Sequence, residues 1–486
     1  MNQIIKFKSK LASCVLLLGI SGCVAIPADR MALPQQDMAR AQLAANIKLA
    51  RDGWPAAQWW SGYGDAQLDR LIAQALQDSP TLQAAGARIG SARAALKQDT
   101  SARGLNVDFS ADSNRQRYSA NGLFPPPIGG AYYTETTPQI VASYDVDWWG
   151  KHKALIAAAL GEINARQADY AQAERTLAAA VAQSYFTLQG GWARLDNLRH
   201  MQQLQSELVA DKVKRIAHGV AAIDSERQAE TELANLKQQT ALLETQIARE
   251  REALRALLGA DARALEDIGA RPLPELPAAL PRSLGIELLA RRPDLQAARW
   301  HVEASLERIE SAEASFYPDI NLTASFGTDA VTLDKLFSAA SRTLYFGPTV
   351  TLPLFDSGRL KARLGAARTQ RNELIADYNQ AVVNAVREVA QEGVSLQGLQ
   401  KQLDEQAASA AATDALLHSV EARYQRGLAD RGTLLSAELA VDRQQDTRLQ
   451  LKDQQLLTNV ALVKALGGGY RAQVDRTNSA AATKQE

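Results

Sequence analysis

Leu105-Asn106-Val107-Asp108-Phe109-Ser110-Ala111-Asp112 alternates apolar and polar side chains from end to end. A period of two puts Leu105, Val107, Phe109 and Ala111 on one face of a strand and Asn106, Asp108, Ser110 and Asp112 on the other. The pattern returns after Tyr317-Pro318, where Ile320, Leu322, Ala324 and Phe326 alternate with Asp319, Asn321, Thr323 and Ser325. Each run has a partner of the same kind. Ile140, Ala142, Tyr144, Val146 and Trp148 alternate with Gln139, Ser143, Asp145 and Asp147. Leu344, Phe346, Val350, Leu352 and Leu354 alternate with Thr343, Tyr345, Thr349 and Thr351. Pro138 and Pro348 each remove a ladder donor, so they mark strand ends or bulges, or the strand boundaries lie elsewhere.

Within each pair the connection is long, Asn114 to Tyr133 and Gly327 to Arg342, whereas the other strand ends run straight into helices. Gly122-Leu123-Phe124-Pro125-Pro126-Pro127 reads as an exposed tip. Two architectures accommodate such strands: a half-buried sheet on a soluble core, or a membrane barrel whose strands of ~10 residues face lipid on one side and a lumen on the other. The carboxylates and amides of the polar face, together with the asymmetric connections, favour the barrel. Asp108, Asp112, Asp145, Asp147 and Asp319 then line an acidic lumen that prefers cations. Four strands cannot close, since small barrels need about eight. An open edge in hydrocarbon leaves backbone groups unpaired at several kcal/mol each. Several chains must therefore share one barrel.

The strands belong to a longer duplication. Pro80-Thr81-Leu82-Gln83-Ala84-Ala85 returns 213 residues later as Pro293-Asp294-Leu295-Gln296-Ala297-Ala298, and Arg215…Gly219-Val220-Ala221 returns 208 residues later as Arg423…Gly427-Leu428-Ala429. Each copy reads helix, two strands, long helix, turn, return helix. Residues 151–217 suit one helix of about 100 Å, and the second copy suits another from Arg359 to Gln425. Leu233, Leu236, Thr240, Leu243, Ile247, Glu250, Leu254 and Leu257 step by three and four as a heptad seam. Leu435, Leu439, Leu449, Leu456, Val460 and Val463 form a similar seam, interrupted by Asp442 and Asp446. The alanine-rich forward helix supplies little bulk for a globular core and suits the wall of a tube.

The chain's beginning reads as a processing segment. Lys6, Lys8 and Lys10 precede a short apolar run from Leu11 to Ile20 that is too short to span a bilayer. Gly19-Ile20-Ser21-Gly22-Cys23 resembles the lipobox of bacterial lipoprotein signal peptides, which makes Cys23 the expected acylation site; Val24 rather than Asp follows it, which by resemblance to sorted lipoproteins implies outer-membrane delivery. The other cysteine, Cys14, leaves with the signal, so the processed chain forms no internal disulfide. With 54 Lys and Arg against 54 Asp and Glu the chain is formally neutral, and losing three signal lysines leaves a small acidic excess. No basic excess points to nucleic acid. The expected organisation is a signal peptide over 1–22, a lipid-anchored segment over 23–64, repeats over 65–280 and 281–470, and a disordered tail over 471–486. The seam between the repeats falls in the proline-rich run from Pro272 to Pro281.

Taken together, the lipidated start, the duplicated strand-pair and long-helix unit, Asp147-Trp148-Trp149-Gly150-Lys151 and Phe355-Asp356-Ser357-Gly358-Arg359 resemble the outer membrane factor (TolC-like) family, within it the lipoprotein branch of multidrug efflux channels. Gly53-Trp54-Pro55, Trp59-Trp60, Arg291-Arg292-Pro293-Asp294-Leu295, Ala314-Ser315-Phe316-Tyr317-Pro318-Asp319-Ile320 and Ala465-Leu466-Gly467-Gly468-Gly469-Tyr470 add to the likeness. The resemblance implies a mixed α/β membrane protein. Three chains would form a homotrimer with a 12-stranded outer-membrane barrel, continuous with a periplasmic α-helical barrel and a mixed equatorial belt. It further implies docking to a periplasmic adaptor and an inner-membrane transporter, and passage of drugs or other small toxic molecules without chemistry. The reversals at Arg215, Gly219, Arg423 and Gly427 map onto the family's periplasmic tips, where the adaptor binds. Many relatives place an Asp six residues beyond the glycine; this chain has Ser225 and Thr433, each able to cap a helix.

Asp211, Asp414 and Glu421 lie near the tips and are the candidate gate, repeated three times in a trimer. Nothing supports an enzyme: His152, His200, His218, His301 and His418 are scattered without metal-ligand spacing, and no phosphate loop, nucleophile elbow or cofactor motif is present. Met31, Met38 and Met201 are too few for a copper relay. A protein-secretion (type I) exit channel on the same fold, and a lipid-anchored coiled-coil scaffold that conducts nothing, remain as alternatives.

Overall fold

The computed structural model describes residues 26–36, 54–261, 263–276 and 291–471. The expected signal peptide, Cys23, half of the proline-rich seam and the tail after Arg471 lie outside the described residues. The first helices, α1 (Ala66–Asp78) and α2 (Pro80–Ser101), lead into strands β1 (Asn106–Arg117) and β2 (Tyr132–Val146). Helix α3 (Lys151–Ala217) and its return α4 (Ile223–Leu258) complete the first copy. The second copy supplies α5 (Pro293–Ala314), β3 (Asp319–Thr328), β4 (Arg342–Thr351), α6 (Arg359–Gln425) and α7 (Arg431–Ala465). The duplication is near exact in length: α2 and α5 have 22 residues each, α3 and α6 have 67 each, and the returns have 36 and 35. The chain divides into two compact units, and each draws on both copies.

The first unit takes in Ile89–Ala165 and Ala298–Tyr378. It contains one antiparallel sheet in the order β1-β2-β3-β4. Register carries the apolar alternation across all four strands: Val107, Ala142, Ala324 and Phe346 stand in one row, and Phe109, Ile140, Phe326 and Leu344 in the next. The strand limits differ from those expected. β1 runs on to Arg117 and β2 starts at Tyr132, so the loop is 118–131 rather than Asn114 to Tyr133. At the other end β2 stops at Val146 and β4 at Thr351, short of Trp148 and Leu354.

Both prolines lie inside strands. On β2 the even residues face β3, as Thr136 shows by exchanging hydrogen bonds of 2.9 and 3.2 Å with Ala330. Pro138 has no N–H to offer there, so the β2–β3 ladder lapses beyond Gln139↔Gly327 and resumes at Thr136↔Ala330 in the same register. Pro348 lies opposite Leu322 with its missing donor directed away from β3, off the sheet's outer edge.

The strand-to-helix turns are built alike. Asp147 accepts from His152 N at 3.0 Å and Lys153 N at 2.8 Å, after Gly150 at φ +75°. In the second copy Asp356 accepts from Gly358 N at 3.0 Å and Leu360 N at 2.8 Å. Each carboxylate satisfies orphan N–H groups of a new helix. Beneath the sheet, Phe316, Ile309, Ala312, Leu360 and Leu364 form a buried cluster on which Ile26 packs. Residues 26–33 are strapped along α6. Asn372 donates to Met31 O at 2.7 Å and accepts from Leu33 N at 3.3 Å, while Arg368 donates to Pro27 O at 2.6 Å and Arg371 pairs with Asp29.

The second unit takes in Gln36–Arg88, Arg166–Ala297 and Asn379–Glu486. Its core joins Trp59, Trp60 and Tyr63 to Leu68, Leu71 and Ile72 of α1, Tyr185 and Phe186 of α3, Leu254 and Leu258 of α4, and Leu435, Leu456 and Val460 of α7. The α4 seam is buried at Leu236, Thr240, Leu243, Ile247 and Leu254, and its last buried residue is Leu258 rather than Leu257. Asp442 and Asp446 interrupt the α7 seam because they are partners of α3: His200 meets Asp442 at 2.7 Å and Arg194 meets Asp446 at 2.9 Å. Arg292 is buried and bonds Asp294, Glu388 at 2.9 Å and the Ala465 carbonyl at 2.9 Å, so one guanidinium ties α5, α6 and the end of α7.

Candidate functional site

The register sorts the strand carboxylates. Asp108 and Asp112 on β1, Asp145 on β2 and Asp319 at the start of β3 share the face opposite Phe109 and Phe346. Asp147 does not. It lies past the end of β2 with its side chain only 5 % exposed, because it caps α3 and approaches Arg103 at 3.8 Å. Two others are paired at the strand–helix junction, Asp145 with His152 at 2.9 Å and Asp319 with Lys151 at 2.8 Å. Asp108 and Asp112 have no ion pair among the described residues. The apolar face stays uncovered: Phe109, Leu344, Phe346 and Val350 are exposed by 71, 82, 75 and 63 %. Just below it stand Trp148, Leu354 and Phe355, also exposed.

At the far ends of the long helices the two reversals share one geometry. Val220 N bonds Arg215 O and Gly219 N bonds Ile216 O, both at 2.9 Å. Leu428 N bonds Arg423 O at 2.8 Å and Gly427 N bonds Tyr424 O at 2.9 Å. Gly219 and Gly427 adopt φ of +69° and +72°, the left-handed closure that a side chain disfavours.

The caps differ from expectation. Neither Ser225 nor Thr433 is a cap: α4 follows Ala222 without a side-chain cap, and Ser225 donates to the Ala222 carbonyl at 2.7 Å. Asp430 caps α7, accepting from Thr433 N at 2.7 Å and Thr433 Oγ1 at 2.6 Å, and it also pairs with the Arg215 guanidinium. The Thr433 hydroxyl and amide, then Arg215, hold the Asp430 carboxyl down at about 2. Its contribution to stability is therefore complete above the ordinary carboxylate range and is lost only as pH falls towards about 2.

Of the three gate candidates, the structure brings Asp211 to this link. A Cβ on Gly432 would stand 3.2 Å from its Oδ2, and that buried oxygen has no hydrogen-bond partner. Glu421 instead meets His418 at 3.2 Å, and Asp414 is solvent-exposed on α6. Asp430, the residue that joins the two copies' tips, was missed. Its signal was local: an Asp three residues after the turn glycine, with a Thr three further on, is an N-cap pattern.

Within the helical unit α3, α4 and α7 border an open-sided cavity of about 380 Å³ lined by Gly190, Gly191, Arg194, Glu250 and Asp453, among others. Asp453 aims its carboxylate at the backbone of α3, so that a Cβ on Gly190 would stand 2.8 Å from Oδ1. That oxygen is buried and has no partner. Burial pushes the Asp453 carboxyl up to about 6, against the opposing pull of Arg194 and with a further push from Glu250. Among the described residues no group of three or more His, Cys, Asp or Glu could hold a metal ion, and no helix is long and apolar enough to cross a membrane.

The family described as outer membrane efflux protein matches this chain twice, over residues 71–260 and 284–468. The multidrug resistance outer membrane protein MdtP of Shigella flexneri is 40% identical over 477 residues, covering 96% of this chain and 97% of its own. MdtQ of Escherichia coli O6:H1, also named a multidrug resistance outer membrane protein, is 36% identical over 96% of this chain and 99% of its own. Among solved structures, the outer membrane protein VceC of Vibrio cholerae superposes with a TM-score of 0.77 at 31% identity, covering 86% of this chain and all of that one. The Campylobacter jejuni CmeC outer membrane channel reaches 0.80 over 95% of this chain and 97% of its own; at 20% identity that is a likeness of fold alone. A twofold family match that follows the duplicated architecture, and relatives alike over nearly the whole length, make this chain a member of the outer membrane efflux protein family.

Proposed function

We propose that three copies of the chain form the outer-membrane exit channel of a tripartite efflux system, passing drugs or other small toxic molecules from an inner-membrane pump and a periplasmic adaptor to the outside. One observation carries this reading: among the described residues, a four-stranded sheet with one face apolar from its helix end up to the Phe109↔Ile140 row, exposed on Phe109, Leu344 and Phe346, and with the outer edges of β1 and β4 unpaired. In hydrocarbon the apolar face is favourable and the open edges are not. Pooling strands edge to edge removes the edges, and three chains give the twelve strands that the family resemblance implies. The apolar face then meets lipid, and Asp108 and Asp112 face the lumen. Trp148 and Phe355, exposed past the helix-side strand ends, would serve as aromatics of an interfacial belt.

The chain performs no chemistry in this reading; conduction is passive and gated. The Arg215–Asp430 link, with Asp211 beside it, holds the tips of the two copies together and favours the closed arrangement. An adaptor opens the channel by binding the open arrangement more tightly, since equal affinity for both would shift nothing. Cys23 is the acyl anchor. It precedes Ile26 by three residues, at most ~10 Å of chain, and Ile26 is seated on the cluster beneath the sheet. The test is to purify the full chain in detergent, determine its mass and record from planar bilayers. A trimer with discrete conductance is expected; a monomer that leaves the bilayer silent overturns the proposal.

A further inference from the structure

The apolar face of the sheet ends differently at its two ends. At the helix side its last residues are Val146, Ile320 and Val350. At the loop side, beyond Ala111↔Pro138, the same face continues with Ser113, Arg115 and Arg117 on β1 and with Thr136, Thr134 and Tyr132 on β2. Both guanidiniums lie against the Tyr132 ring, with Cζ at 5.6 Å from its centroid for Arg115 and 6.0 Å for Arg117. Arg117 also donates from Nε to the Gly130 carbonyl at 3.2 Å. Neither arginine has a carboxylate partner among the described residues, and no Asp or Glu occurs on this face of any of the four strands. Arg342, on the same face of β4, is a third cation without one.

The strand-side position explains what such a pair can meet. Arg115 pairs with Thr134, and from Thr134 to Val146 the strand spans about 40 Å at ~3.3 Å per residue. At a usual barrel tilt of ~40° that is about 30 Å along the axis, just beyond an apolar band of ~25 Å. Arginines held at that height are in the headgroup layer, where lipid phosphates are concentrated and a guanidinium without a carboxylate partner can meet one. The guanidinium fork suits phosphate, and the tyrosine ring holds both forks in place. Resting on the reading of this sheet as barrel wall, we propose that Arg115, Arg117 and Tyr132 bind the phosphate of an outer-leaflet glycolipid, so that each chain carries a lipid site at the outer rim.

The purified full-length assembly, wild type and Arg115→Gln/Arg117→Gln, is incubated with diphosphoryl lipid A or its dephosphorylated form. Bound lipid is counted by native mass spectrometry, with inorganic phosphate as competitor. Wild type is expected to retain the phosphorylated lipid, to lose about tenfold in retention when the phosphates are removed, and to lose about as much in the double variant. Inorganic phosphate should not displace the lipid, because it lacks the acyl chains that lie on the apolar face. Equal retention of both lipid forms, equal retention by the double variant, or displacement by inorganic phosphate each overturns the site. If the double variant fails to assemble, Arg115→Lys/Arg117→Lys is read instead: it keeps the charge but not the fork and must bind more weakly than wild type. Conductance of the same wild-type preparation separates the two claims. A conducting channel that is blind to lipid phosphate loses only this site, whereas a silent one loses the barrel reading and the site with it.

Discussion

Replacing Asp453 with asparagine keeps the shape of a side chain that nothing bonds at Oδ1 and removes its charge. In the folded chain this carboxyl ionises at about 6, against 3.8 ordinarily, chiefly because it is buried. At about 1.4 kcal/mol per tenfold change in proton affinity, the rise is worth ~3 kcal/mol, and residual solvent contact reduces the expected value to ~2. The sign follows from which state ionises first. Between about pH 4 and pH 6 the unfolded chain releases this proton while the folded chain retains it, so stability falls as pH rises and the whole cost is present above about pH 6. Asp453→Asn should therefore stabilise the protein by ~2 kcal/mol near pH 8 and by almost nothing near pH 4. Denaturant unfolding in detergent, followed by helical circular dichroism at several pH values, measures the difference directly. A stabilisation that does not change with pH, or a loss of stability near pH 8, would refute the assignment of the cost to a buried charge.

Arg215→Ala breaks the tip link while leaving the Asp430 cap on Thr433, and should raise single-channel conductance with little change in melting; unchanged conductance would remove this pair from the gate. Gly427→Ala places a side chain at φ +72° and should cost about 1 kcal/mol, read as a lower denaturant midpoint. Asp108→Asn with Asp112→Asn should weaken cation over anion preference in reversal-potential measurements, and an unaltered preference would put these residues off the lumen. Cys23→Ser should abolish incorporation of radiolabelled palmitate; labelling that persists would place the acyl group elsewhere.

The sheet and the tips were legible because each rests on a local rule. Alternation over Leu105 to Asp112 and over Ile320 to Phe326 needs only the strand period, and a glycine at the end of a long helix needs only the left-handed closure. The outer ends of β1 and β2 were not legible, since beyond Ala111 both faces carry polar side chains and alternation vanishes while pairing continues to Arg117↔Tyr132. Asp147 continues the strand pattern in sequence, yet capping α3 takes it off the sheet. Asp442 and Asp446 read as breaks in a seam because their partners, His200 and Arg194, lie more than two hundred residues away. The strap over residues 26–33 has no period at all. Asn372 and Arg371 fasten it, and nothing local marks them.

Two helices of 67 residues, one per copy, turn back at reversals that Arg215 and Asp430 clasp together. That clasp yokes the lengths of the two halves. Four residues inserted into α3 alone would carry Arg215 just over one helical turn, about 6 Å, away from Asp430, whereas a matching insertion in α6 would carry both forward in step. Insertions and deletions should thus be tolerated only as twins, and descendants of the ancestral gene should lengthen or shorten both arms together.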